Sequence, residues 1–141
     1  MAPNPLGVVY MAHPLGGDVE GNSARARRWL AWLMTAEPDY AFCVPWLPFV
    51  DAFVRIYGRV DDAGHPFRDR CMRDNLAIGA RCDGIALVGG RVSAGMAAER
   101  ELFLLSPARF IVDLTRLGPE PPSEWELGSG PLLWGQTGDR T

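Results

Sequence analysis

The chain has 141 residues, 48% of them hydrophobic and 22% charged, which suits one globular domain with a core and leaves too little for two. Its net charge is −3, which argues against non-specific electrostatic binding of a nucleic acid polymer. The 14 basic residues are all arginine, so Schiff-base catalysis by lysine and a P-loop lysine are both excluded.

Cysteine, histidine and hydropathy patterns predict a cytoplasmic protein that needs no metal or other cofactor. Cys43, Cys71 and Cys82 have no C-x-x-C spacing, which is typical of reduced thiols. His13 and His65 lack the spacing of zinc ligands. No apolar run approaches the roughly 20 residues of a membrane helix, and the N-terminus lacks the pattern of an export signal.

Strands and helices are predicted to alternate along the chain. Apolar runs of strand length predict strands at residues 6–12, 40–44, 83–89 and 109–114. Apolar residues at helical spacing predict a helix that Asn22 caps and that ends before residue 37, a short helix within 46–57, and helices at 67–81 and 96–105, with a loop at 58–66.

This order of elements predicts an α/β domain over residues 1–115, with a parallel sheet of four to five strands between layers of helices. Residues 116–141 are rich in Gly, Pro, Ser and Glu and are predicted to form a partly mobile tail. The alternative is that Trp125 and Trp134 dock this tail onto its own domain or onto a neighbouring subunit.

A glycine-rich loop between the third predicted strand and the next helix is the main candidate site. It occupies residues 89–99, so backbone N–H groups, the Ser93 hydroxyl and the Glu99 carboxylate meet at the carboxyl end of a strand, where ligands of open α/β sheets bind. Glu99 falls on one helical stripe with Met96 and Phe103, which predicts that it faces inward. A buried carboxylate is costly unless it is paired or used.

Each part of this pattern also has a structural interpretation. Glu99 could pair with a nearby arginine or be favoured by the helix dipole. Ser93 could simply cap its helix, and Gly89, Gly90 and Gly95 could merely make a turn.

Other polar residues near the predicted strand ends are further candidates. Tyr10 lies near the end of the first strand, where a tyrosine is commonly a core residue. Asp83 is expected to have a structural role in satisfying loop amides. Asp74 and Asn75 lie on the preceding helix and could be surface residues, and Arg91 is either an anion ligand or a solvated loop residue.

Taken together, these segments resemble the nucleoside 2-deoxyribosyltransferase-like superfamily over roughly residues 6–115, and in particular a small uncharacterised branch common in phages and actinobacteria. The segments that carry the resemblance are residues 9–17, Asn22, residues 82–83, residues 89–99 and residues 113–115. The resemblance implies a flavodoxin-like (Rossmann-like) three-layer sandwich that hydrolyses or transfers the N-glycosidic bond of a nucleoside or nucleoside 5′-monophosphate. It also implies a homodimer or a higher homo-oligomer, because relatives complete their sites with a residue of a neighbouring subunit.

The resemblance further implies catalytic roles. Glu99 matches the glutamate that attacks the anomeric carbon to form a glycosyl-enzyme ester, as in a retaining glycosidase. Tyr10 matches a tyrosine that hydrogen-bonds near this nucleophile. We expect the helix N-terminus to favour the ionised form of Glu99.

The predicted substrate contacts surround this glutamate, and one position departs from the family pattern. The substrate-binding candidates are His13, Gly16, Gly17, Asn75, Gly90, Arg91, Ser93, Gly95 and Met96. Ser93 matches a serine that contacts the 5′ end or phosphate, and the Gly16-Gly17 loop could help to hold that phosphate. Relatives carry an aspartate where ungapped counting from Asp83 reaches Asn75, so either Asp74 donates the proton to the leaving base or the donor differs.

Two other functions compete with this interpretation. One is a phosphoribohydrolase-like enzyme, although the chain lacks the Pro-Gly-Gly-x-Gly-Thr motif of those proteins. The other is a non-catalytic nucleotide sensor, because a fold does not fix a function.

Overall fold

A computed structural model describes residues 4–58 and 66–123. The predicted loop at 58–66 lies almost entirely outside the described residues, as do Trp125, Trp134 and the rest of the predicted tail beyond residue 123. The described residues form a four-stranded, wholly parallel sheet with helices packed around it, so the predicted α/β, flavodoxin-like class is confirmed.

The sheet has the strand order β2-β1-β3-β4, and its strands are β1 (Gly7–Ala12), β2 (Tyr40–Cys43), β3 (Gly84–Leu87) and β4 (Phe110–Asp113). Every residue of β3 is buried, as expected for a strand covered on both faces. The chain leaves β1 toward β2 on one side and later leaves β3 toward β4 on the other. The carboxyl ends of β1 and β3 therefore flank the crevice in which such sheets bind ligands.

The helices are α1 (Val19–Ala36), α2 (Trp46–Tyr57), α3 (Pro66–Gly79) and α4 (Ala94–Leu104). The prediction that Asn22 caps the first helix is wrong, because that helix begins four residues earlier. Asp18 is the cap, and its side chain accepts a hydrogen bond from Gly21 N at 3.1 Å. Asn22 lies inside the first turn, and its amide donates instead to Leu15 O at 2.9 Å. None of the described helices is long and apolar enough to cross a membrane.

The chain after β4 packs against the domain as far as it is described. A 3₁₀ turn (Thr115–Leu117) leads into residues 118–120, and we call residues 115–120 the C-terminal strap. Trp29 Nε1 donates to Pro119 O at 2.9 Å, and Arg28 makes a two-pronged ion pair with Glu120 at 2.9 and 2.7 Å. The first residues of the predicted tail are thus tied to α1.

Candidate functional site

A hollow of about 290 Å³ lies at the carboxyl edge of the sheet beside Glu99, and we call it the Glu99 hollow. Its volume is near the lower end of the range of about 300–1,000 Å³ for small-molecule sites. Its lining comes from the loop after β1, from the start of α2, from α3 and from the first two turns of α4: His13, Leu15, Gly16, Trp46, Arg68, Met72, Asn75, Leu76, Ser93, Ala94, Gly95, Met96, Ala98 and Glu99.

The carboxyl group of Glu99 is bound from behind by Tyr10, which donates its phenolic proton to Glu99 Oε2. Tyr10 is fully buried in β1 and is not among the residues that line the hollow. Tyr10 therefore positions the carboxyl group, and Glu99 is the member of the pair that reaches the hollow.

Burial decides the protonation of this pair. It raises the pKa of Glu99 from 4.5 to about 7, although the hydrogen bond from Tyr10 acts in the opposite direction. Burial, followed by the negative charge of Glu99, also raises the pKa of Tyr10 well above its usual range. The expectation that the helix N-terminus favours ionised Glu99 fails, because Glu99 lies in the second turn of α4, beyond the reach of the terminal dipole.

The start of α4 supplies the polar rim of the hollow. Ser93 is the N-cap, and its hydroxyl oxygen accepts from Met96 N at 3.3 Å, so the capping interpretation of Ser93 describes its geometry. Its O–H remains a donor. Ala94 and Gly95 also line the hollow. Because they lie in the first turn of α4, their backbone N–H groups have no hydrogen-bond partner within the helix.

Of the two neighbouring candidates on α3, the structure brings Asn75 to the hollow and not Asp74. Asp74 is not among the residues that line the hollow. Asp74 pairs with Arg73 at 2.8 Å and with Arg70 at 3.7 Å. Asn75 lines the hollow, and its Oδ1 is buried without a hydrogen-bond partner among the described residues.

His13 forms part of the wall and is held in one tautomer. Its Nδ1 lies 2.6 Å from Pro14 O, and because a carbonyl only accepts, Nδ1 carries the proton. Nε2 is buried and has no partner in the described chain, and burial lowers the pKa of the ring. Gly89 makes room for this imidazole, since a Cβ at that position would lie 2.7 Å from it.

A second opening of about 500 Å³ adjoins the hollow at Gly16, and we call it the glycine cleft. Its lining is Pro14, Gly16, Gly17, Asp18, Asn22, Arg25, Gly89, Gly90, Arg91, Pro119 and Glu120. Four of the predicted substrate residues (Gly16, Gly17, Gly90 and Arg91) thus lie here, whereas the others lie around Glu99. Asp83 lies in neither place, because its Oδ2 accepts from Val8 N at 2.8 Å and joins the entrance of β3 to β1.

Several residues of the two openings were not predicted. Trp46 stacks on His13 with ring centroids 6.4 Å apart and donates from Nε1 to Met11 O at 3.0 Å, so it holds the hollow's floor to β1. Its position two residues after a predicted strand is the signal that could have identified it. No local sequence pattern predicts that Glu120 lines the cleft, because Glu120 belongs to the segment that was predicted to be a tail.

The fold and the site define a parallel α/β protein with a buried carboxyl group at the carboxyl edge of its sheet. The chain belongs to the family described as "Domain of unknown function (DUF7768)", whose model matches residues 7–104. The match runs from β1 to the end of α4 and so includes both Tyr10 and Glu99. No curated protein matches the chain.

Proposed function

We propose that this protein cleaves the N-glycosidic bond of a nucleoside or a nucleoside 5′-monophosphate, with Glu99 as the nucleophile. The observation that carries the proposal is the buried Tyr10–Glu99 pair, whose carboxyl group reaches a hollow of about 290 Å³. Within the described residues Glu99 has no ion pair, so the simple structural explanation of a paired glutamate does not account for it.

The reaction follows the logic of a retaining glycosidase applied to an N-glycoside. A Glu99 oxygen attacks C1′ as the bond from C1′ to the base nitrogen breaks, and its electron pair leaves with the base, which takes up a proton. Positive charge shared by C1′ and the ring oxygen in the transition state is stabilised by the nearby carboxylate. Water, or a second base, then attacks C1′ of the ester and releases Glu99.

The protonation of Glu99 suits this role. A pKa of about 7 keeps a large fraction of the carboxyl group ionised at neutral pH, while burial leaves that charge poorly solvated and therefore reactive. The Tyr10 hydrogen bond fixes one oxygen, so the other is free to approach C1′. Because Asp74 is tied to arginines on the surface, the leaving base takes its proton from water or from a group of the hollow.

Three further features belong to the proposal. The ligand is a small molecule, because the hollow has a volume of about 290 Å³, close to that of small-molecule sites. The protein acts in the cytoplasm, the compartment in which nucleosides occur and in which thiols such as its three free cysteines stay reduced. It works as a homodimer or a higher homo-oligomer, as the resemblance implies.

The test is release of free base from a panel of nucleosides and their 5′-monophosphates, separated by chromatography. Glu99→Gln is expected to lower the release rate by at least about 1,000-fold, because no covalent ester can form. The matched control is Glu101→Gln, an exposed glutamate of the same helix, which should behave as wild type. Equal base release by Glu99→Gln and wild type would disprove the mechanism.

A non-catalytic nucleotide-binding module is the second candidate. The observation that favours it is the amide of Asn75 at the hollow, where relatives of the resembled superfamily carry an aspartate. Calorimetry that shows tight nucleotide binding, together with no base release during long incubation, would select this candidate over the first.

A further inference from the structure

We propose that Glu120 of the C-terminal strap disfavours phosphate-bearing ligands in the glycine cleft and so biases the site toward unphosphorylated nucleosides. This inference rests on the proposed function for the identity of the ligand. It concerns a residue outside the segment that the family model matches, which ends at residue 104.

The strap is fixed over the glycine loop by three separate contacts. Trp29 Nε1 donates to Pro119 O at 2.9 Å, and both oxygens of Glu120 bind Arg28. Gly90 lies so close below that a Cβ there would come within 2.9 Å of Pro119 N. A side chain carried on such a segment has a defined position, so its charge acts at a defined place.

That place is the wall of the glycine cleft. Glu120 lines the cleft together with Gly16, Gly90 and Arg91. The hydrogen bonds from Arg28 hold the pKa of the Glu120 carboxyl below its usual range, so it is negatively charged at neutral pH. A ligand whose sugar occupies the Glu99 hollow extends into the cleft past Gly16, the residue that both openings share.

The lining of the cleft holds as many carboxylates as arginines, and Arg28, which pairs with Glu120, lies outside that lining. Arg25 is bound to Asn22 Oδ1 at 2.8 Å and to Asp18 at 3.4 Å, and Asp18 itself lines the cleft. The two arginines of the lining, Arg25 and Arg91, are therefore balanced by Asp18 and Glu120 and leave no excess of positive charge for a phosphate. A phosphate entering there brings a like charge close to Glu120, whereas the 5′-hydroxyl of a nucleoside does not.

The experiment measures binding, so that it does not depend on catalysis. Dissociation constants are measured for adenosine, cytidine, AMP, CMP and inorganic phosphate in the Glu99→Gln background, with and without Glu120→Gln. Glutamine keeps an oxygen for Arg28 and removes only the charge. Two further variants serve as controls: Glu101→Gln removes an exposed carboxylate elsewhere, and Trp29→Phe loosens the strap without changing its charge.

Glu120→Gln is expected to tighten binding of the monophosphates about 10-fold at low ionic strength and to leave the nucleosides within about 2-fold. The gain should shrink at high salt, since the charge is exposed. The proposal is overturned if the protein with Glu120→Gln binds monophosphates no more tightly than the protein that keeps Glu120. It is also overturned if neither protein binds them measurably. A gain that persists at high salt, or an equal gain from Trp29→Phe, would overturn it as well. Base release by Glu99→Gln would sink the proposed mechanism without affecting these binding ratios.

Discussion

The Glu99 hollow and the glycine cleft lie side by side and share Gly16, yet the ionisable groups of the hollow and of the cleft differ in burial and in pairing. In the hollow, the carboxyl group of Glu99 is bound by one neutral hydroxyl group, and burial raises its pKa to about 7. In the cleft, charges are exposed and paired: Asp18 faces Arg25 at 3.4 Å, and Glu120 faces Arg28 at 2.7 Å.

This difference separates the groups that could perform chemistry from those that shape a ligand site. An unpaired buried carboxyl group destabilises the folded state whenever it is ionised, which is expected where a reactive group is needed. Exposed pairs contribute little to stability, so the cleft depends on backbone shape, with Gly17, Gly89 and Gly90 all at positive φ. Variants of the two regions should therefore change the stability of the fold in opposite directions, and the following predictions use that difference.

The largest effect is expected from Glu99→Gln on the pH dependence of stability. The pKa of Glu99 rises from 4.5 to about 7 on folding, so between these values the native state binds more protons and stability falls as pH rises. The loss amounts to about 3 kcal/mol and is complete above pH 7. Glu99→Gln should match wild type near pH 4.5 and exceed its stability by about 3 kcal/mol at pH 8.

Urea unfolding at several pH values between 4.5 and 8 measures this difference. Glu101 on the same helix is exposed, so the free energy of unfolding of Glu101→Gln should change with pH as that of wild type does. Parallel curves for Glu99→Gln as well would mean that the carboxyl group is not buried and that the two regions do not differ in the way described.

A pair of glycine variants tests how the cleft is built. Gly90 and Gly17 have φ angles of +88° and +92°, so Gly→Ala strains the backbone similarly at both, by about 1–2 kcal/mol. At Gly90 the new Cβ meets the strap, 2.9 Å from Pro119 N, whereas at Gly17 no atom of residues 4–58 or 66–123 lies within 4 Å of it. We expect Gly90→Ala to destabilise the fold by about 2 kcal/mol more than Gly17→Ala. Equal losses in chemical denaturation would show that the strap does not rest on Gly90.

Local patterns predicted the sheet well because its strands are short, continuous apolar runs. They predicted the start of α1 poorly. Asp18 and Asn22 are both good N-cap residues, and the choice depends on the bond from Asn22 to Leu15 O, which no periodicity reveals. The strap was missed for a related reason, since its contact between Trp29 and Pro119 joins residues 90 positions apart.

The candidate site was predictable only in part. The apolar stripe through Met96 and Phe103 indicated that Glu99 faces inward, and both of those residues are buried. The partner Tyr10 came from the resemblance, because it lies 89 residues away in sequence. The choice between Asp74 and Asn75 could not be made by counting, since one residue turns a side chain by about 100° and only packing fixes the phase of α3.

The smallest predicted effect on stability makes that choice testable. Asn75 Oδ1 is buried without a hydrogen-bond partner in the described part of the chain, which costs free energy. Asn75→Leu should therefore leave the fold as stable as wild type or stabilise it by about 1 kcal/mol. If the hollow holds the substrate, the same variant should lower base release about 10-fold or more, because a polar group beside Glu99 is lost.

Asp74→Asn is the matched comparison. It weakens half-exposed pairs with Arg70 and Arg73, for which we expect a loss below about 1 kcal/mol and no change in base release. The hypothesis that Asp74 donates the proton predicts the opposite order, with Asp74→Asn inactive and Asn75→Leu active. Thermal unfolding and base release of the two variants under one set of conditions therefore decide which residue of α3 serves the hollow. A loss of stability and of base release together in Asn75→Leu would instead place Asn75 in the structural frame.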